Sequence, residues 1–281
     1  MIAGVAARSP RRSLAVPPGR RIALALALIH GLGLLTAARA DDPPSPPSPD
    51  VTRPPAADEF VVIPLRVHVL TSADLPDVDC ALADADVRRV VAKVNGIWHV
   101  AGVHFGLGPI VREPAARQGR FRAAREAGAA DPLALFRLLA PESSRSGEGV
   151  DVYYVHRLPV NGVLLDDRMA FIQETAGLRP VPGGLDEPLP RVTAHELGHA
   201  LGLLHRQDRT NLLASGTTGT TLNEAEVSRA RDHARKIPGA LAVPDLRKKA
   251  EEADARGDAP EARRLRARLA EIPGGASAGA R

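Results

Sequence analysis

Cysteine is almost absent. Among 281 residues only Cys80 occurs, so no internal disulfide can form and the fold must be held by its core. Long hydrophobic runs are scarce too: the one stretch of note, residues 22–37, is about 16 residues long, broken by His30 and two glycines, and short for a membrane span. Excess positive charge is lacking where a nucleic-acid partner would need it. The six arginines of residues 1–40 have no acidic companion, and leaving that segment out turns the formal net charge from +4 to −2. No basic face is therefore expected on the remainder, which argues against nucleic acid as a partner. Nor does any serine or cysteine stand in a recognisable nucleophile motif, so covalent catalysis has no candidate.

What is present begins with an export signal. Arginines at 8, 11, 12, 20 and 21 precede the apolar stretch, and Ala38-Arg39-Ala40 offers a small-x-small cleavage site before Asp41. Residues 1–40 read as a signal peptide, with a membrane anchor as the competing reading. The arginine pairs 11–12 and 20–21 leave twin-arginine export open. The mature chain is expected outside the cytoplasm, periplasmic or extracellular, without stable membrane insertion. Residues 41–58 are proline-rich and favour extended conformations, which makes them a linker. Cys80, in Asp77-Val78-Asp79-Cys80, lies in no inhibitory motif and reads as a structural thiol.

The most informative run is His195-Glu196-Leu197-Gly198-His199-Ala200-Leu201-Gly202-Leu203-Leu204-His205. In a helix, residues four apart share a face, so His195 and His199 offer two nitrogens to one point and Glu196 can lean over it. Had the helix continued, His205 would be rotated by roughly 240° and point away. The helix must end, and Gly202 can end it, because glycine enters the left-handed region freely. The reversed chain then returns His205 as a third ligand. Three imidazoles leave a fourth position open for water, the arrangement of catalytic zinc.

This run resembles the H-E-x-x-H-x-x-G-x-x-H consensus of the metzincin zinc metallopeptidases at every defined position. The resemblance implies a methionine-containing turn beneath the metal. Here Asn211-Leu212-Leu213-Ala214-Ser215 stands in its place with Leu213 for the methionine, an apolar swap of similar volume. Some branches carry a tyrosine just past that turn. This chain has Ser215 there, its two tyrosines being Tyr153 and Tyr154, which makes it look closer to the reprolysin-like members than to astacins or serralysins.

The expected fold is α+β. It has a metzincin-like twisted mixed β-sheet, a long helix and the zinc helix over residues 59–240, then a charged helical tail over 241–281. Residues 61–70 read as a strand, 84–100 as an amphipathic helix, and 103–107 and 150–158 as further strands. Residues 111–149 read as irregular apart from a short helix at 132–139. Asn223 and Glu226 form a capping pair for a helix reaching about residue 236. The tail reads as a helical hairpin that serves packing or partner contact, with solvated charged faces as the competing and favoured reading. In metzincins a short edge strand above the zinc helix receives the substrate, and Met169-Ala170-Phe171-Ile172-Gln173 is the candidate; an interior strand without that role is the competing reading. His68, His99, His104, His156 and His233 lack ligand spacing and are expected as surface groups.

These residues imply one catalytic Zn2+ bound by His195, His199 and His205, and Glu196 as general base and then general acid toward a polypeptide substrate. The alternative is a non-catalytic binding or adhesion module stabilised by zinc. Glu196 opposes it, because a purely structural site has no need of a carboxylate beside its first ligand.

Overall fold

A computed structural model describes residues 55–273, all within one compact unit. Residues 1–40, expected as a signal peptide, and the expected linker up to residue 54 lie outside the described residues. Among the described residues no helix is long and apolar enough to cross a membrane.

The chain enters strand β1, Val61–Thr71, whose near-continuous Val, Ile and Leu bury on both faces, as a strand flanked by parallel neighbours requires. Helix α1, Asp84–Trp98, follows with Val87, Val90, Val91, Val94 and Trp98 along one buried stripe. Strand β2, Val103–Pro114, pairs parallel with β1. It runs well past residue 107, and helix α2, Gln118–Glu126, occupies part of the stretch expected to be irregular. The α2 sequence has one buried apolar residue, Phe121, too few to show a period. Its anchor is tertiary, since Phe121 packs edge-on against Phe136 from a 3-10 turn at Ala134–Leu139.

Strands β3 (Val150–Val155), β4 (Gly162–Asp166) and β5 (Met169–Gln173) complete a sheet of order β2-β1-β3-β5-β4. Pairings are parallel except β4 with β5, which is antiparallel. The expected edge strand, Met169 to Gln173, is therefore interior: β5 lies between β3 and β4, and Met169, Ala170, Phe171 and Ile172 are buried. The edge belongs to β4. Near-neighbour alternation cannot tell these strands apart, because sheet order depends on pairing with β3, about twenty residues upstream.

Helix α3, Pro188–Ala200, lies against α1 on the sheet, with Leu197 and Leu201 in the same apolar cluster as Val94 and Trp98. Gly198 makes this approach close: a Cβ there would sit 3.3 Å from both the Trp98 ring and Leu213 Cδ1. Helix α4, Glu224–Ala234, starts at the expected capping pair, Asn223 Oδ1 accepting from Glu226 N at 3.0 Å and Glu226 Oε2 from Asn223 N at 2.9 Å.

The C-terminal hairpin is no solvated appendage. A two-residue strand β6, Leu241–Ala242, pairs antiparallel with the start of β1 and leads into α5, Val243–Ala255, and α6, Ala259–Ala270. Leu246, Ala250, Leu265 and Leu269 pack with Phe60 and Val62 in a cluster of their own. Much of this stripe is alanine, whose burial is invisible beside so many charges. Leu246, fully buried, tests the point: Leu246→Ala should cost about 2–5 kcal/mol in a denaturant titration, whereas a solvated tail would give almost no change.

Two histidines expected at the surface are inside. His68 is fully buried, with Nδ1 2.7 Å from Glu113 Oε1 and Nε2 3.1 Å from Asp151 Oδ1, and it stacks on Tyr153. His104 is buried beside Glu271 of the hairpin. Each polar ring is tolerated because a carboxylate from a distant segment meets it. Cys80 is also buried; loss of solvent pushes its thiol up to about 12, which fits a structural thiol.

Candidate metal centre

Helix α3 ends in a Schellman motif that the sequence dictates. Gly202 sits at φ +75, its N–H donates to His199 O at 2.9 Å, and Leu203 N donates to Gly198 O at 3.0 Å. A side chain at 202 would be strained, and its Cβ would fall 2.5 Å from His233 Nε2. The chain reverses here, and Arg206 N then donates to Leu213 O at 3.0 Å, holding the returning segment against the 211–215 turn.

The result is a triangle of imidazole nitrogens. His195 Nε2 lies 3.1 Å from His199 Nε2 and 3.3 Å from His205 Nε2, and the last pair is 3.2 Å apart. The other nitrogens of the first two rings are committed. His195 Nδ1 donates to Leu212 O at 2.8 Å and His199 Nδ1 to Leu203 O at 2.9 Å. Their Nε2 atoms are therefore bare lone pairs facing each other, which repel unless a cation sits between them and the third ring. Zinc bonds of about 2.0–2.1 Å to three corners of a tetrahedron place those corners roughly 3.3–3.4 Å apart, so the triangle fits the ion. Among the described residues it is the one group of three His, Cys, Asp or Glu side chains so converged.

The turn beneath the rings supplies what the methionine would. Leu213 is fully buried against Gly198, while the neighbouring Leu212 carbonyl fixes the His195 ring. Asn211 Oδ1 accepts from Leu213 N at 2.7 Å and tightens the turn. Glu226, 2 % exposed, ties this turn to the metal loop: it accepts from Asn211 Nδ2 at 2.8 Å and from Arg206 Nε at 2.6 Å. Its cap role was legible from spacing; its grip on the residue after His205 was not.

Burial sets the protonation of the site. Desolvation holds His195 down at about 3 and lowers His199, so both remain neutral and able to bind metal where exposed imidazoles take up protons. Protonation of these two buried rings should therefore compete with metal less than that of exposed imidazoles, so that metal is still partly retained at the ordinary imidazole value of 6.5 and lost on further acidification. Zinc analysis after dialysis at stepped pH checks this; stripping already complete at pH 6.5 would contradict it. Glu196, 5 % exposed, is pushed the other way by desolvation, up to about 7, partly offset by the Leu164 amide donating to it and by the Arg191 charge.

A cavity of about 670 Å³ opens over these groups, bounded by His195, Glu196, His199 and His205, by residues 160–164 of β4 and the segment before it, and by Ser215 and Gly216 past the turn. Gly162 permits β4 to cross so near the helix, since a Cβ there would fall 2.9 Å from Glu196 Cγ and Oε1 and from Val192 Cγ1. Met169 to Gln173 contribute nothing to this lining. Sequence reasoning missed Gly162, Arg191 and Glu226 as parts of the site. Each acts on groups brought to it by tertiary folding, and no short-range pattern marks it.

Two solved structures bear a likeness to part of the chain. Archaemetzincin from Methanopyrus kandleri matches at 17 % identity over 63 % of this chain and 95 % of that one, with a TM-score of 0.34. Mature mirolysin from Tannerella forsythia, solved with a cleaved peptide, matches at 11 % identity over 64 % and 98 %, with a TM-score of 0.39. No family model matches the chain, and no curated protein matches it in sequence.

Proposed function

We propose that this protein is an exported zinc-dependent endopeptidase that cleaves polypeptides bound in an extended form along β4. The carrying observation is the triangle of three Nε2 atoms beside a buried carboxylate in an open cleft. A zinc ion held there supplies Lewis acidity, polarising a carbonyl and making a water acidic near neutral pH.

The chain's own residues do the rest. Glu196 takes the proton from the attacking water and passes it to the leaving amine, so one carboxylate serves first as base and then as acid. Its raised proton affinity suits both halves of that cycle. Strand β4 has one side paired with β5 and the other at the edge of the sheet, so its backbone can pair with an extended peptide of almost any sequence. Leu212 and Leu203 hold His195 and His199 in the tautomer that presents Nε2. Residues 1–40 support export, and the net charge of −2 beyond them supports a protein rather than a nucleic-acid partner.

The test is digestion of a mixed unfolded protein substrate by the zinc-loaded chain and by its Glu196→Gln variant. Equal cleavage by both would remove the catalytic assignment and leave the zinc-stabilised binding module. Gly162→Ala offers a second check. Its Cβ displaces Glu196, and a misplacement of this kind costs about 10²-fold in kcat, with zinc content unchanged. Unaltered kcat would mean the strand does not constrain the base.

A further inference from the structure

Arg191 is the unexplained charge of the cleft. It precedes His195 by one helical turn on the same face, is 2 % exposed, and lines the cavity. Among the described residues no carboxylate lies within ion-pair distance of it, Glu196 acting on it only through space, and the cavity it lines is walled largely by apolar side chains such as Leu133, Val163 and Leu178, with Asn161 and Ser215 as neutral polar members. A buried cation normally has a partner.

Its hydrogen bonds make the imbalance specific. Nε donates to Gly219 O at 3.1 Å, and Nη2 donates to Ala214 O and, at 3.4 Å, to Asn211 O. These brace the turn under the metal site. The contact of Nη1 is His195 Nδ1 at 3.4 Å, and that nitrogen already carries the proton it donates to Leu212 O. It has no lone pair to offer when Nε2 binds metal. Among the described residues, two N–H donors of a buried guanidinium are thus left without an acceptor, beside a cavity whose one acidic side chain is Glu196.

We propose that the cleft selects substrates carrying a carboxylate beside the scissile bond, with Arg191 as its receptor. This rests on the peptidase reading above. The carboxylate comes from an Asp or Glu side chain or from the chain terminus of the peptide, and the guanidinium meets either with charge-assisted hydrogen bonds in a largely apolar pocket.

The zinc-loaded protein is given a proteome-derived peptide library and its cleavage sites are mapped. Asp or Glu enriched at one fixed position identifies the side chain; cuts at a fixed distance from the C-terminus, whatever the sequence, identify the terminus. Cleavage with neither pattern overturns the inference and leaves the peptidase reading standing. For the best-cleaved peptide, replacing the selected carboxylate by its amide should lower kcat/KM at least about tenfold. Arg191→Gln should bring the two peptides level while zinc content is kept; if that variant does not fold, the acid and amide peptides on the unaltered protein decide. A binding measurement covers the case of no cleavage at all. Immobilised zinc-loaded Glu196→Gln protein should retain the library and lose that retention once the library's carboxyls are amidated. Equal retention of both libraries overturns the proposal.

Discussion

Replacing Glu196 by Gln is expected to lower peptide hydrolysis by about 10²–10⁴-fold while the protein keeps one zinc and its fold. Gln matches the volume of Glu and can still receive the Leu164 amide through its carbonyl oxygen, so the β4 contact survives. It cannot accept a proton. Burial strengthens the expected selectivity, because Glu196 is 5 % exposed and its carboxylate is destabilised by desolvation. Neutralising it should leave thermal stability unchanged or raise it slightly, opposite to the loss expected for a structural ion-pair partner. Activity, zinc content and melting temperature measured on one preparation decide the matter. Lost activity together with lost zinc would show that Glu196 serves the metal loop rather than the chemistry.

His205→Ala should remove both metal and activity. His195 and His199 sit on one rigid helix with their rings fixed by carbonyls, but two ligands leave zinc half-held, and the third comes from the reversed segment after Gly202. Substituting groups that merely orient a ligand costs about 10–100-fold in affinity, so deleting a ligand should exceed that. The fold should persist: His205 is the exposed member of the trio, and the core beneath it, Leu203, Leu212 and Leu213, is untouched. Competition with a chelator reads the affinity, and circular dichroism reads the fold. Zinc bound as tightly as in the unaltered protein would place the third ligand elsewhere.

The metal centre was legible because its logic is local. Two histidines four apart, a glutamate between them, a glycine that ends the helix and a histidine three residues on need only helix geometry and the freedom of glycine at φ +75 to be assembled. The capping pair at Asn223 and Glu226 was legible for the same reason. The edge strand was not. Residues 162–166 and 169–173 are both short and apolar, and which one forms the edge depends on β5 pairing with β3.

By itself, then, the amino-acid order determined the three converging histidines, the carboxylate beside them, the helix stop and the leucine that fills the turn, since each follows from spacing within a few residues. The tertiary structure alone decided that Gly162 of the edge strand passes against Glu196, that Glu226 fastens Arg206 and Asn211, that Arg191 lies buried without an ion pair among the described residues, and that the charged hairpin packs on Phe60 and Val62 through an apolar cluster of its own. Those contacts join residues from 15 to roughly 200 positions apart. Chain connectivity limits such encounters only weakly, so they are selected by packing and polar pairing, which leave no periodic trace.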